Sequence, residues 1–367
     1  DSALLIDPVT GKNYTAPGLA ANGMPGTSPD AAGVFARTNT AFYADLEYDM
    51  DALLVQFAAR SENFSDFGGT FNYKAAARYS LGNLVSFRGS YSTGFRAPTP
   101  GQSNASQVQT NIDSVTGAPL TSGIVSPNNP VAQFFGATPL KPETSMNYSA
   151  GIVIKPTNRI TLTVDYFNIK VEDRIAVSGN FNLNAAQRAQ LAALGIPGGD
   201  SFQQISFFTN SFDSRTQGID AVLTVGFDLG EGKATLGLNG NYTSTKVIRA
   251  SPVISADRER FLELEGFVPQ WKGNASFDYQ GGRFGFLARA NYYGEWTDYG
   301  ANLAADQTGG AELLVDLEAS YKINEMFKIA IGAENVFDNY PDLEARQSQI
   351  NNGIRYMRFA PIGFNGG

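Results

Sequence analysis

The side chains that carry most enzyme chemistry are missing from this sequence. Its 367 residues include no Cys and no His. Without Cys there are no disulfides, thiolate metal sites or cysteine nucleophiles. Without His, the usual general base and the commonest transition-metal ligand are absent, so Ser201 and Ser206 have no imidazole to activate them. The composition therefore excludes much of the common enzyme repertoire. We expect a protein that is not an enzyme and that holds neither a cofactor nor a metal.

Carboxylates are the acid–base groups that remain. Four of them stand at polar positions of alternating segments, namely Asp165, Asp220, Asp228 and Glu334. Paired carboxylates perform general acid–base catalysis, and on a water-filled surface they also simply solvate it. A second set, Asp257, Glu259, Glu263 and Glu265, offers hard oxygen ligands for Ca²⁺, although its spacing matches no EF-hand. A solvated or lipopolysaccharide-bridging surface is the alternative interpretation of that second set.

Aromatic rings and one guanidinium are the candidate ligand contacts, because they bind a ligand without reacting with it. They stand at strand ends or in long connections: Arg96, Phe134, Phe135, Trp296 and Tyr299. Tyr292, Tyr293 and Trp296 also fit an aromatic girdle at the level of lipid headgroups. Arg96 has a second interpretation, in which it pairs with the 141–143 segment at the other foot of the same loop.

The composition predicts the kind of element that positions these residues. Aromatic residues make up 12% of the chain, Gly accounts for 39 residues, and charged residues for only 17%, against about 25% in soluble domains. This mixture suits a large sheet with one apolar and one polar face. The net charge of −8, without a run of Lys or Arg, argues against nucleic-acid binding.

Hydrophobic residues alternate with polar ones along most of the chain. For example, Ile219, Ala221 and Leu223 share one face, whereas Asp220 and Thr224 share the other. Such alternation is typical of strands with one apolar face. We predict about twelve strands, at 38–48, 52–62, 69–79, 83–94, 143–155, 158–174, 204–229, 231–246, 268–279, 283–297, 310–323 and 325–337.

The connections between these strands are alternately short and long. The longest fall at 95–142, 175–203, 247–267 and 338–353, and the Pro- and Gly-rich residues 1–36 are also expected to form a loop. Within one loop, Asn184 begins a predicted helix over 185–194 that Gly195 ends. Short turns at one end and long loops at the other are typical of an outer-membrane β-barrel. A soluble β-sandwich binding module is the less favoured alternative.

Six segments in chain order resemble a known family. They are 89–98 (GSYSTGFRAP), 140–145 (LKPETS), 162–175 (LTVDYF to EDRI), 215–220 (RTQGID), 334–338 (ENVFD) and 359–366 (FAPIGFNG). Over about residues 36–367, the sequence resembles the C-terminal part of a TonB-dependent outer-membrane receptor.

The resemblance implies an all-β, antiparallel transmembrane β-barrel of 22 strands, of which this chain contributes about 12 to 13. Residues 1–36 are then an extracellular loop, and residues 37–367 form the C-terminal part of the barrel. The family's N-terminal plug domain is not recognisable, so we expect the remainder of the receptor to complete the barrel. The lumen carboxylates then serve solvation or plug docking.

The implied function is energy-coupled import of a scarce ligand, such as a siderophore, cobalamin or a glycan, across the bacterial outer membrane. The implied partners are the TonB coupling protein, which acts through the plug, the ligand, and outer-membrane lipid or lipopolysaccharide. A passive outer-membrane porin is the alternative function.

Overall fold

The protein is described from a computed structural model, which defines residues 5–6, 13–14, 26–27, 33–104, 106–112, 119–196, 198–252, 258–300, 302–345 and 356–361. Strands dominate these residues. In chain order they are β1 (Leu5–Ile6), β2 (Asn13–Tyr14), β3 (Gly26–Thr27), β4 (Asn39–Met50), β5 (Leu53–Phe64), β6 (Gly68–Leu81), β7 (Val85–Arg96), β8 (Gln107–Ile112), β9 (Pro119–Ile124), β10 (Glu143–Thr157), β11 (Ile160–Val177), β12 (Phe181–Asn182), β13 (Phe202–Ser206), β14 (Phe208–Leu229), β15 (Gly232–Ala250), β16 (Trp271–Gly281), β17 (Phe284–Tyr293), β18 (Trp296–Asp298), β19 (Gln307–Gly309), β20 (Glu312–Lys322) and β21 (Lys328–Ala333).

The helices are short and lie between the strands. They are α1 (Pro100–Asn104), α2 (Pro130–Phe134), α3 (Ala185–Ala193), α4 (Arg258–Gly266) and a single 3₁₀ turn at Leu303–Ala305. In the described part of the chain, no helix has the length and apolarity needed to span a membrane.

One antiparallel sheet contains twelve strands, and each pairs with the preceding and the following strand of that sheet, while β8, β9, β12, β13, β18 and β19 between them belong to smaller sheets. Its order is β21-β20-β17-β16-β15-β14-β11-β10-β7-β6-β5-β4. The twelve predicted strands are confirmed in number and order. Most of their ends differ from the prediction by one to four residues, and the predicted strand 325–337 is only Lys328–Ala333. Two predicted strands are divided: 204–229 into β13 and β14, and 283–297 into β17 and β18.

The apolar face of this sheet is exposed rather than packed on a second sheet. Trp271 is 60%, Ile219 47% and Tyr148 46% exposed, although all three lie on central strands. A β-sandwich buries this face, so that interpretation is wrong. A lipid-facing surface needs no protein partner, because hydrocarbon solvates the apolar side chains.

Tight turns join the strands at one end of the sheet. Asp51, Gly82, Gly230 and Gly282 all have positive φ between 53° and 59°. Gly and Asp adopt this left-handed conformation at low cost, which allows two-residue or three-residue connections. The opposite end carries the long loops, as the alternation of short and long connections predicted.

Helix α3 is confirmed where the sequence placed it. The Asn184 side chain accepts a hydrogen bond from the Gln187 backbone N–H at 2.9 Å, and the Gln187 side chain accepts one from the Asn184 N–H at 3.0 Å. This reciprocal capping box satisfies two N–H groups that the helix leaves without partners.

Asn184→Ala is therefore expected to destabilise α3 by about 1 kcal/mol, since it removes the N-cap acceptor. Hydrogen exchange of the α3 amides should accelerate about fivefold. The matched control is Gln190→Ala, at an exposed site on the same helix. Equal exchange rates in both variants would contradict the capping role.

Candidate functional site

Two long loops fold together above the sheet. We call residues 97–142 and 178–207 the loop domain. Strand β9 pairs in parallel with β13, and β8, β9, β12, β13 and β3 form a five-stranded sheet. The hydrophobic core of the loop domain comprises Val108, Val125, Val131, Ala132, Ala137, Leu183, Leu191, Phe202, Ile205 and Phe207. Most of the buried apolar side chains of the described chain lie here, because the large sheet turns its apolar face outward.

Phe134 and Phe135 pack against this core. Asn129 caps α2 and Pro130 begins it, which places the two phenylalanines at the end of the helix. Their ring centroids lie 5.1 Å apart, and Phe135 lies 5.1 Å from Phe181. Both rings are half-buried, so each retains an open edge while one side stabilises the loop domain.

Arg96 lies at the rim where the loop domain meets the sheet. It is the register partner of Glu143, and their side chains form an ion pair at 2.5 Å. The predicted pairing of the two loop feet is confirmed. Glu143 also accepts a hydrogen bond from the Ile175 N–H at 2.7 Å. The Arg96 side chain remains 60% exposed, so its guanidinium has donors free to face a ligand.

Trp296 and Tyr299 occupy the connection between β17 and β20. Trp296 is only 2% exposed, and its indole N–H donates to the Arg358 carbonyl at 3.4 Å. The girdle interpretation is therefore wrong for Trp296, because a girdle side chain faces the headgroups. Tyr299 is half-buried and lies close to Arg258, whose ion pair with Asp306 spans 2.7 Å.

The five predicted contact residues do not form one cluster. Phe134 touches Phe135, but in the described residues no hydrogen bond, ion pair or ring contact joins these two to Arg96, Trp296 or Tyr299. They lie on separate segments of the same loop-bearing end.

An ion-pair network that the sequence did not reveal joins β18, α4 and the 356–361 segment. Arg358 binds Asp298 at 2.6 Å and Glu259 at 3.0 Å, and Asp298 is fully buried. Hydrogen bonds from Arg358 to both carboxylates hold the pKa of Arg358 above its usual range. The partners are 60 and 99 residues apart in the chain, and such long separations leave no local pattern.

A polar cavity of about 400 Å³ adjoins this network. It is lined by Ile124, Val177, Ser178, Gly179, Asn180, Ser206, Glu259, Glu263 and Arg358. The cavity thus lies between the loop domain, α4 and the 356–361 segment. Its hydroxyl, amide and charged groups suit a polar ligand group better than an apolar one.

The acidic residues of α4 serve structural contacts. Glu259 pairs with Arg358, and Glu265 accepts a hydrogen bond from the Val247 N–H at 3.0 Å. Asp257 lies outside the described residues. Within the described residues, no three carboxylates come together as Ca²⁺ ligands, so the Ca²⁺ interpretation gains no support.

Three of the four predicted lumen carboxylates, Asp165, Asp220 and Asp228, lie on the polar face and have partners, and the fourth, Glu334, is exposed just beyond the end of β21. Asp165 forms an ion pair with Arg88 across β10, where Gly151 leaves room because a Cβ there would clash with the Asp165 carboxylate. Asp220 accepts a hydrogen bond from Asn241 at 2.6 Å, and Asp228 pairs with Arg159 at 2.7 Å. This pairing favours a structural role over acid–base catalysis.

Side-chain amides extend the polar face across four strands. Asn239 donates to Asn274 at 3.4 Å, Asn274 to Asn291 at 2.7 Å, and Asn291 to Asp316 at 3.3 Å. The result is a hydrophilic wall on β15, β16, β17 and β20, opposite in character to the outward face.

Arg37 fastens the segment before β4 to the loop between β5 and β6. It binds Asp66 at 2.6 Å, donates to the Pro98 carbonyl at 2.7 Å, and lies 5.1 Å from the Phe67 ring centroid. The hydrogen bond from Arg37 holds the pKa of Asp66 below the usual range of an Asp carboxyl.

The Arg37–Asp66 contact is expected to weaken in acid. A carboxylate whose pKa is lowered by folding stabilises the folded state above its unfolded pKa, and that stabilisation is lost as the pH falls through the folded value. The protection factor of the Ser65 amide, which donates to the Thr38 carbonyl at 3.1 Å, should fall as the pH drops below the ordinary Asp pKa of about 3.9 and through the lower folded-state pKa of Asp66. The Asp66→Asn variant should not show this change, and an identical change in both proteins would contradict the assignment.

Comparison with known proteins identifies the family. A family model described as TonB-dependent receptor-like β-barrel matches residues 6–336. No curated protein matches the sequence. Similar solved structures include a mutant of the ferric enterobactin receptor PfeA of Pseudomonas aeruginosa (16% identity, TM-score 0.60, 91% of this chain and 44% of that chain). Two structures of the siderophore receptor PirA are also similar to this chain. The one from Acinetobacter baumannii has 16% identity and a TM-score of 0.56, over 82% of this chain and 42% of that chain. The one from Pseudomonas aeruginosa has 17% identity and a TM-score of 0.57, over 86% of this chain and 48% of that chain.

At these identities the structural likeness shows the fold alone, and the chain spans less than half the length of each of these receptors. The family match covers most of the chain. The chain therefore belongs to the TonB-dependent receptor-like β-barrel family and is an outer-membrane protein.

Proposed function

We propose that the chain supplies part of the barrel wall and the extracellular loops of a receptor that imports a siderophore by energy-coupled transport. One observation carries this proposal. This chain, a member of the receptor family, has an apolar face outward, a hydrophilic wall on the other face, and a folded loop domain at one end. The similar solved structures are siderophore receptors, which supports the ligand class. The function proposed is that of a transporter, not of an enzyme.

The remainder of the receptor is a required partner. In the described sheet, β4 and β21 each pair on one side only. Unpaired strand edges in hydrocarbon leave backbone groups without partners, at several kcal/mol each by order of magnitude. Further strands of the receptor therefore close the barrel, up to the 22 strands that the family implies. A plug in the lumen, reached by TonB from the periplasm, supplies the energy coupling, with residues 1–36 as an extracellular loop and 37–367 as barrel.

The proposed ligand contacts are Arg96, Phe134, Phe135 and Tyr299, and Trp296, which the sequence also offered as a contact, takes a positioning role. Arg96 offers an exposed guanidinium beside the rim. Phe134, Phe135 and Tyr299 offer half-buried rings on separate loops. Buried Trp296 acts by positioning the 356–361 segment, since its indole N–H bonds the Arg358 carbonyl.

Growth under iron limitation tests the proposal. A strain that lacks the full-length receptor is supplied in turn with a catecholate, a hydroxamate and a carboxylate siderophore as the sole iron source. The receptor should restore growth on one class and leave the others unchanged. Growth that is the same with and without the receptor on every class would overturn the siderophore assignment.

Replacing Arg96 by Lys is expected to weaken uptake of that siderophore. Lys keeps a positive charge beside Glu143 but loses the planar donors of the guanidinium. Charged hydrogen bonds contribute about 1.5–3 kcal/mol, so half-saturation of ⁵⁵Fe-siderophore uptake should rise about tenfold. The matched control is Lys141→Arg, at an exposed cation on the same loop. If both variants transport as the native receptor does, Arg96 is not a contact.

A further inference from the structure

Three basic residues lie directly opposite one another on three neighbouring strands. Lys170 of β11 is the register partner of Arg215 of β14, which is in turn the partner of Lys246 of β15. Neighbouring strands are about 4.8 Å apart, so the three charges form a compact row. Arg215 and Lys246 are exposed.

This basic row lies on the lipid-facing side of the sheet. Each of the three basic residues has an apolar or aromatic residue four positions away on its own strand, and therefore on the same face. These residues are Tyr166, Ile219 and Tyr242. Tyr242 contacts the exposed Trp271 at 4.7 Å between ring centroids. Four residues correspond to about 13 Å along a strand, so the basic row lies beyond the aromatic residues, towards the long loops.

A polar layer separates the two rows. Asn168 lies two residues after Tyr166, and Gln217 lies two residues before Ile219. The Asn168 side-chain amide donates a hydrogen bond to the Gln217 side-chain oxygen at 3.3 Å. The outward face thus changes from apolar to aromatic, then to amide, then to cationic. This sequence of layers matches the passage from hydrocarbon through the interface to charged headgroups.

The row is not explained by pairing within the protein. Like charges directly opposite in a sheet destabilise it. Lys170 pairs with Glu172 at 2.5 Å, but in the described part of the chain Arg215 and Lys246 form no ion pair. In a protein with a net charge of −8, an external anion is the partner that such a row fits.

We propose that Lys170, Arg215 and Lys246 bind the phosphate groups of a lipopolysaccharide molecule in the outer leaflet. Guanidinium and ammonium groups are strong donors to phosphate oxygens, and the neighbouring aromatic residues contact the acyl chains. This lipid site goes beyond the proposed function, because it concerns the outside of the wall and does not depend on the ligand that the receptor imports.

Native mass spectrometry of the full-length receptor, stripped of lipid and titrated with purified rough lipopolysaccharide, tests the site. The variant K170Q/R215Q/K246Q should bind at least about tenfold more weakly, since each surface cation contributes about fivefold in affinity for anionic lipid. The matched control is R78Q/K155Q/K233Q, which removes three cations from the polar face. Arg78 and Lys155 lie beside Arg88 on that face, and Lys233 is the register partner of Asp228. The control should bind as the native receptor does.

Three results would overturn the proposal: unchanged binding by K170Q/R215Q/K246Q, an equal loss in the control, or equal binding of dephosphorylated lipopolysaccharide or of phosphatidylglycerol. Heat-dependent gel mobility checks that each variant is a folded barrel. If the triple variant does not fold, R215Q alone is measured and should weaken binding about fivefold, whereas R215K should retain it. No change in R215Q would likewise overturn the proposal.

Discussion

Removing the Arg358 side chain should release the segment that it fastens. In Arg358→Ala, the fully buried carboxylate of Asp298 loses its guanidinium partner. Breaking a buried ion pair on one side costs about 3–5 kcal/mol, so local opening of β18 and β19 should rise at least about a hundredfold. Hydrogen exchange of the Trp296–Asp298 and Gln307–Gly309 amides measures this opening.

A second substitution separates lost charge pairing from lost packing. Arg358→Ala combined with Asp298→Asn replaces the buried carboxylate that has lost its guanidinium partner by a neutral amide, so the double variant should recover a large part of the protection that the single variant loses. If the single variant exchanges as slowly as the native chain, Arg358 does not fasten these loops. If the double variant is no better than the single, packing of the Arg358 stem is the larger contribution.

Leu191→Ala should unfold the loop domain locally without affecting the barrel. Leu191 is fully buried in the core, against Gly199. Truncating a buried Leu to Ala costs about 3 kcal/mol, which corresponds to about a hundredfold faster exchange in β9 and β13. Strands β14 and β15 of the large sheet should retain their protection, because they do not share this core.

The matched control for Leu191 lies on the adjoining turn of the chain. Leu194 is 61% exposed, so Leu194→Ala removes the same methyl groups from water-accessible surface. Its exchange should match that of the native protein within about twofold. Equal acceleration in both variants would show that the loops do not form a packed domain.

The sequence predicts the sheet well because its information is local. Alternation of apolar and polar residues along a strand such as β14 depends only on residues two apart, and the capping box of α3 depends on residues three apart. Both patterns can be recognised in the sequence without knowledge of the tertiary contacts. The number and order of the twelve strands follow from them.

The site is predicted less well because its contacts are distant in the chain. The pairing of Arg96 with Glu143 follows from the two feet of one loop, but the pairing of Arg358 with Asp298 has no such clue. Trp296 looks like a girdle residue because it follows Tyr292 and Tyr293. The chain leaves the sheet after Tyr293, however, and β18 turns Trp296 into the protein.

Energised import is the central claim, and the energy dependence of uptake tests it most directly. Cells with the full-length receptor take up ⁵⁵Fe-loaded siderophore of the class that supports growth, at a concentration below half-saturation. Collapse of the proton gradient by an uncoupler, or deletion of TonB, should abolish accumulation while leaving surface binding intact. Uptake that continues unchanged after both treatments, in proportion to external concentration, would contradict the account and establish a passive porin.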